Sequence, residues 1–307
     1  MAYVFPGQGS QWVGMGRDLY DTFDSARAVF NQADEVLGFL LSRLCFDGPE
    51  DELRQTVNAQ PAIVVVSLAC LAAIRDTSGD AGLAPPAFVA GHSLGEYTAL
   101  AAAGVVDAAT AIYLVRERGR LMHQAALKEP GGMLAIIGLD EAAANEVCAE
   151  TGILIANINC PGQIVLSGPK AALARAAALA ESRGAYRVIR LPVSGAFHTP
   201  LMQPAVAGMS RAITAASLAP PLLPIVANTT AGEITTVPEI IKELLAQLCN
   251  GVLWQRSVEY MVQKGVTTFI EIGPGKVLSG LIRRINKNVS TINIGDAGAV
   301  NSLVSVG

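Results

Sequence analysis

Five residues, Gly91-His92-Ser93-Leu94-Gly95, hold the pattern in this chain most able to do chemistry. An apolar run ends at Gly91 and a helix-like pattern starts directly after Gly95. That is the layout of a nucleophile elbow, a sharp strand-to-helix turn that leaves a serine hydroxyl exposed. Glycine on both sides avoids the clash that a larger neighbour would make at such a turn. The helix that follows aims its N-terminal amides at the serine, where they can stabilise developing negative charge. The chemistry predicted is attack of Ser93 on a carbonyl carbon. In a glycine-rich chain the five-residue pattern alone carries little weight, and its strand–helix setting adds to it.

A serine nucleophile needs a base, and three histidines are available. His92 adjoins Ser93, but consecutive residues at an elbow point in different directions, so it is badly placed to take the hydroxyl proton. His123 falls on a long helical pattern, as a surface or partly packed residue. His198 lies in Val193-Ser194-Gly195-Ala196-Phe197-His198, where a strand runs out toward the next helix. Such a junction can hold an imidazole over a cleft as general base and acid; an ordinary loop histidine fits the spacing equally well.

Arg118 is unusual for its neighbours. At helical spacing it is flanked by Leu114, Val115, Leu121 and Met122, all apolar, whereas Arg116 and Arg120 fall on other faces. An arginine on an apolar stripe must be compensated by a protein carboxylate or by an anionic ligand. The adjacent Gly119 leaves room for close approach. A structural ion pair and a bidentate grip on a substrate carboxylate both satisfy this. The loop Gly7-Gln8-Gly9 invites a dinucleotide reading, but the third glycine of that fingerprint would fall on Trp12, so the reading fails. Such a loop after a first strand can instead offer a backbone N–H to an oxyanion hole, or simply turn the chain.

These residues need a frame. A strand over 2–5 precedes Pro6-Gly7-Gln8-Gly9, and helical patterns cover about 17–37 and 59–75 before the elbow strand. Two more helices follow, the second from an Asp107 N-cap to about residue 127. Alternating strands and helices, with the site after a strand's carboxyl end, predict an α/β layered fold. After Pro130-Gly131-Gly132 the pattern changes: strand 133–139, an Asp140-capped helix, strands 153–158 and 163–166, an alanine-rich helix 171–182 and strand 186–191. That is the split βαβ, ferredoxin-like order, sized for a small inserted domain. From Thr199-Pro200 the α/β pattern resumes, closing with strand 267–272, a Gly273-Pro274-Gly275 turn and helix 276–286. The expected division is a discontinuous catalytic domain, 1–127 and 198–307, around a subdomain at 128–197.

Composition narrows the class. The 307 residues are 51% hydrophobic and 16% charged, enough for a large core. The net charge of −4 gives no reason to expect a nucleic acid partner. Cys45, Cys70, Cys148, Cys160 and Cys249 lack metal-ligand spacing and read as core residues of a reduced, cytoplasmic protein. The apolar run 61–74 is short for a membrane span and reads as a buried helix, and no basic leader precedes the first strand.

Five motifs in order, Phe5-Pro6-Gly7-Gln8-Gly9-Ser10-Gln11, Gly91-His92-Ser93-Leu94-Gly95-Glu96-Tyr97, Arg118-Gly119, Gly195-Ala196-Phe197-His198 and Glu271-Ile272-Gly273-Pro274-Gly275, resemble the malonyl-CoA:acyl carrier protein transacylases, acyltransferases of bacterial fatty acid synthesis. The resemblance spans essentially the whole chain. It implies an α/β hydrolase-like large domain with a ferredoxin-like insertion. It implies Ser93 as nucleophile, His198 as its base, and the amides of Gln8 and Leu94 as oxyanion hole. Arg118 would hold the malonyl carboxylate, with Phe197 and His92 lining the substrate site. Gln247 matches the position whose backbone carbonyl orients the histidine, which accounts for the lack of a triad acid. Phe197 beside the base is the pairing that goes with malonyl rather than methylmalonyl in related polyketide acyltransferases.

The implied partners are malonyl-CoA, a substrate rather than a cofactor, and holo acyl carrier protein, acting on a monomer that needs no metal or redox group. Ping-pong kinetics are expected. Lys276, Arg283, Arg284 and Lys287 either steer an acidic carrier or are a solvated helix end. A serine esterase or thioesterase, an inactive scaffold, and a malonyl transferase of a polyketide or malonate decarboxylase system remain as alternatives.

Overall fold

The computed structural model describes residues 1–78 and 83–304. Among the described residues there are ten strands: β1 (Ala2–Phe5), β2 (Phe88–Gly91), β3 (Gly131–Ile137), β4 (Leu154–Cys160), β5 (Gln163–Pro169), β6 (Arg187–Arg190), β7 (Ile225–Val226), β8 (Glu233–Ile234), β9 (Thr268–Ile272) and β10 (Ser290–Ile294). They form two sheets, ordered β10-β9-β1-β2-β7-β8 and β4-β5-β3-β6. In the first, all pairings but β7–β8 are parallel. Its central strands read AYVF and FVAG and are buried throughout. Such unbroken burial is what a parallel strand covered on both faces requires.

Register is what builds the site. Phe5 pairs with Gly91, so β1 and β2 end level and the loops leaving them run side by side. The His92 N–H donates to the Phe5 carbonyl at 3.0 Å and fastens the second loop to the first strand. The crevice at these carboxyl ends is where an open α/β sheet binds ligands. Over one face lies helix Thr56–Ser78, packed on helix Ala108–Lys128. Its apolar stretch is long enough to cross a membrane, yet 83% of it is buried inside the protein, so it serves as the core helix.

The second sheet is antiparallel, with strands in the ferredoxin-like order. Alternation along β3 divides its side chains between two environments. Leu134 and Ile136 pack under helices Glu141–Thr151 and Lys170–Ser182, whereas Met133 and Ala135 face the main core. The Val252 N–H donates to the Ala156 carbonyl and the Ile158 N–H to the Val252 carbonyl, at 2.8 and 2.9 Å. These two bonds tie β4 to the segment that follows the long helix Val237–Cys249.

Several expectations need adjusting. The pattern over 17–37 is two helices, Arg17–Thr22 and Asp24–Leu37, because Phe23 between them is extended. The chain does not close on the helix after Gly275. That helix, Val277–Ile285, is followed by β10 on the sheet edge and by helix Ala297–Val304. Lys276 and Lys287 therefore flank a penultimate helix.

Candidate active site

Both glycines of the elbow are sterically required. A Cβ on Gly91 would sit 1.9 Å from the Gly95 carbonyl carbon, and one on Gly95 would sit 2.3 Å from the Phe5 carbonyl oxygen. Between them Ser93 adopts φ 54°, a left-handed conformation that side chains rarely take. Strain of this kind persists where the surroundings hold it. Here Asn228 does so: its Oδ1 accepts from the Ser93 N–H and its Nδ2 donates to the Gly91 carbonyl, both at 2.7 Å.

The Ser93 Oγ lies 2.9 Å from the His198 Nε2. On the far side of the ring, Nδ1 lies 2.8 Å from the Gln247 main-chain carbonyl. A carbonyl only accepts, so Nδ1 carries the proton and Nε2 is free to accept from the serine hydroxyl. His198 is also left-handed, at φ 59°. Burial first, and the Arg118 charge second, push its pKa down from 6.5 to about 3. The imidazole is therefore neutral and available as a base near neutral pH.

Arg118 is 1% exposed on helix Ala108–Lys128, facing inward as its spacing predicts. Its Nη1 donates to the Gln60 Oε1 and its Nη2 to the Gln247 Oε1, each at 2.7 Å, and Nη2 also reaches the Ser93 Oγ at 3.1 Å. The guanidinium carbon stands 5.9 Å from the Tyr97 ring centroid. Among the described residues no carboxylate comes within ion-pair distance, and Nε has no partner. A buried cation with only neutral partners and a spare N–H is an anion site in waiting.

A cavity of about 510 Å³ opens onto these groups, walled by Gln8, His92, Met122, Asn157, Phe197 and Leu281 among others. Phe197 is 4% exposed. The His92 Nε2 lies 2.9 Å from the Asn159 Oδ1 and 3.4 Å from the Asn157 Nδ2, so this ring nitrogen is engaged by the two asparagines of β4. The Gln8 side chain donates to the Thr56 Oγ at 3.2 Å. Among the described residues the Gln8 and Leu94 backbone N–H groups have no protein acceptor. A wider, shallow hollow of about 690 Å³ near Gly104 and Ala216 holds no comparable set of groups.

Asn228, Gln60, Glu96 and the Gln247 side chain were not singled out from sequence. Only the last two stood in view, Glu96 directly after the elbow's Gly95 and Gln247 on a helix whose Thr236–Glu239 capping box is legible. Of the basic residues near Val277–Ile285, Arg284 donates to the Gln163 Oε1 and the Pro161 carbonyl, and Arg283 to the Thr291 Oγ. Two of the four cations are thus engaged within the fold.

A serine–histidine pair on a strand-to-helix turn, in the crevice of a largely parallel sheet, defines a class of α/β proteins that handle acyl groups. Residues 2–299 match the acyl transferase domain family. The malonyl CoA-acyl carrier protein transacylase of Bacillus subtilis is 43% identical over 301 residues, covering 96% of this chain and 93% of its own. The acyl-carrier-protein-S-malonyltransferase of Bartonella henselae superposes with a TM-score of 0.94 at 41% identity, covering 99% and 98%. A malonyl-transacylase solved in complex with its type II polyketide acyl-carrier protein superposes equally well, TM-score 0.94 at 37% identity, covering 100% and 99%. The chain belongs to the malonyl CoA-acyl carrier protein transacylase family of acyltransferases.

Proposed function

We propose that this protein transfers the malonyl group from malonyl-CoA to the phosphopantetheine thiol of acyl carrier protein through an ester on Ser93. The observation that carries this reading is Arg118, a buried cation 3.1 Å from the Ser93 Oγ with a spare Nε–H and, among the described residues, no carboxylate partner. A free carboxylate one methylene away from a thioester carbonyl, as in malonyl, fits that vacancy; acetyl leaves it unpaired, at about 1–3 kcal/mol.

The Ser93 hydroxyl gives its proton to His198 Nε2 as Oγ bonds to the thioester carbonyl carbon. The charge on the carbonyl oxygen is met by the Gln8 and Leu94 N–H groups. The C–S bond then breaks, and the CoA sulfur leaves with the proton returned from His198. In the second half the carrier's thiol gives its proton to His198 and attacks the ester, and Ser93 leaves with that proton. Throughout, the Gln247 carbonyl holds Nδ1–H and keeps the ring aimed. Phe197 and His92 wall the acyl site, with Phe197 crowding an α-methyl branch.

In this reading residues 1–127 and 198–307 form the catalytic domain of a cytoplasmic monomer, and 128–197 a subdomain closing the cavity. Fatty acid synthesis is the pathway proposed. The likeness to a transacylase bound to a polyketide carrier favours a second reading, in which the carrier belongs to a polyketide system. The test is intact-protein mass after mixing with malonyl-CoA. One malonyl adduct on the peptide containing Ser93, absent in Ser93→Ala and scarce with acetyl-CoA, is expected. Equal labelling by both donors, or a malonyl adduct on another residue, would contradict the reading.

A further inference from the structure

Glu96 directly follows the elbow's Gly95 and lies in the first turn of helix Gly95–Ala102, 2% exposed. Buried carboxyls need donors, and both of its oxygens have them. Its Oε1 accepts from the Asn228 N–H at 2.7 Å, and its Oε2 accepts from the Gln247 Nε2. Each donor belongs to a residue that grips the site. Asn228 holds the Ser93 N–H and the Gly91 carbonyl. Gln247 donates to the Ser93 carbonyl, accepts from Arg118 through its side chain and accepts from His198 through its main chain.

The orientation of the Gln247 carboxamide is the hinge of this arrangement. Oε1 must face Arg118, because an NH₂ there would set donor against cation. Nε2 then faces Glu96, where only an acceptor serves. Arg118, the Ser93 carbonyl and Glu96 together fix which way the amide stands, and Glu96 is the side-chain acceptor among them. A second carboxyl, Glu243, lies one turn before Gln247, accepts from the Thr229 N–H and hydroxyl, and is in side-chain contact with Glu96 itself. Burial, and next the Glu243 charge, raise the Glu96 pKa; the Asn228 N–H, Arg118 and Gln247 oppose this.

We propose that Glu96 is a positioning residue for acyl selection, locking the Gln247 side chain so that Arg118 stays directed at the carboxylate of the incoming acyl group. This rests on the malonyl reading above. It makes Glu96 the source of an effect on donor preference, although it touches neither substrate nor serine hydroxyl.

A carboxyl group presents an oxygen to each of the two donors and an amide presents only one, so Glu96→Gln is a sharp probe. Turned one way, its NH₂ opposes the Asn228 N–H; turned the other, it opposes the Gln247 Nε2. Gln247 escapes the second clash by flipping, which aims its own NH₂ at Arg118. The experiment measures kcat/KM for acylation by malonyl-CoA and acetyl-CoA in wild type, Glu96→Gln and Glu271→Gln, the last a buried carboxyl on β9 outside this network, with thermal midpoints alongside. The malonyl-to-acetyl ratio is expected to fall about tenfold or more in Glu96→Gln and to stay within about twofold in Glu271→Gln. An unchanged ratio in folded Glu96→Gln, or an equal fall in Glu271→Gln, overturns the proposal. If Glu96→Gln does not fold, Glu96→Asp, which keeps the carboxyl but draws it back by one methylene, must lower the ratio or the proposal fails. Wild type that takes no malonyl group would instead overturn the function on which the inference rests.

Discussion

Two strand-to-helix turns lie on either side of β1, and each buries a glutamate. At the end of β9, Glu271 accepts from the Leu278 and Ser279 N–H groups at the start of the next helix, at 3.0 and 2.8 Å, and from the Asn293 side chain. At the end of β2, Glu96 accepts from Gln247 and Asn228, and the chain of bonds runs on to Arg118, Ser93 and His198. Burial raises the pKa of both carboxyls. Most donors to Glu271 are main-chain groups of one helix terminus, so its network is closed and serves the fold. The network of Glu96 ends on a cation with an unused N–H, so it is open toward a ligand. Burial of a carboxyl does not separate structure from function; the unsatisfied end of its network does.

That contrast can be broken in order of expected effect. Ser93→Ala should reduce transfer by on the order of 10⁴-fold or more while leaving the thermal midpoint nearly unchanged, since only the open network loses its reacting atom. Retained turnover in a single-turnover assay would place the chemistry elsewhere. Next, Arg118→Ala should lower malonyl transfer by about 100-fold and acetyl transfer far less, measured as kcat/KM for each donor. Equal losses would remove the carboxylate role. Glu271→Gln, in the closed network, should cost about 1–3 kcal/mol in urea unfolding and leave the donor ratio intact. A changed ratio there would erase the distinction between the two turns.

The smallest effect concerns pH. The His198 pKa lies near 3 in the fold against 6.5 in an open chain, so between those values only the unfolded chain binds the proton. Stability from this group is present above 6.5 and is lost as pH falls toward 3. Acylation should correspondingly stay flat across roughly pH 6 to 8, with no inflection of an ordinary histidine. A rate that halves near pH 6.5 would show the base is not held neutral.

How much of this was legible depended on distance along the chain. Ser93 was marked by its own neighbours, and Arg118 by one helix's spacing, because both signals are local. The ferredoxin-like insertion followed from element order for the same reason. Asn228 carries no such mark: its bond to the Ser93 N–H spans 135 positions, and nothing around it differs from a turn asparagine. Gln60 is equally silent, one polar residue in an apolar helix. The orienting role of the Gln247 carbonyl came from family resemblance, since a main-chain group leaves no residue type to read. β7 and β8, two residues each, are too short to show a period, and Phe23 interrupts a helix without breaking its spacing.

The most direct measurement follows the fate of malonyl-enzyme freed of excess malonyl-CoA, by intact-protein mass over time, in buffer alone and after adding holo acyl carrier protein. The expected result is an adduct that persists in buffer and moves quantitatively to the carrier once it is added. An adduct that water removes as fast as the carrier does would make the protein a hydrolase and contradict it.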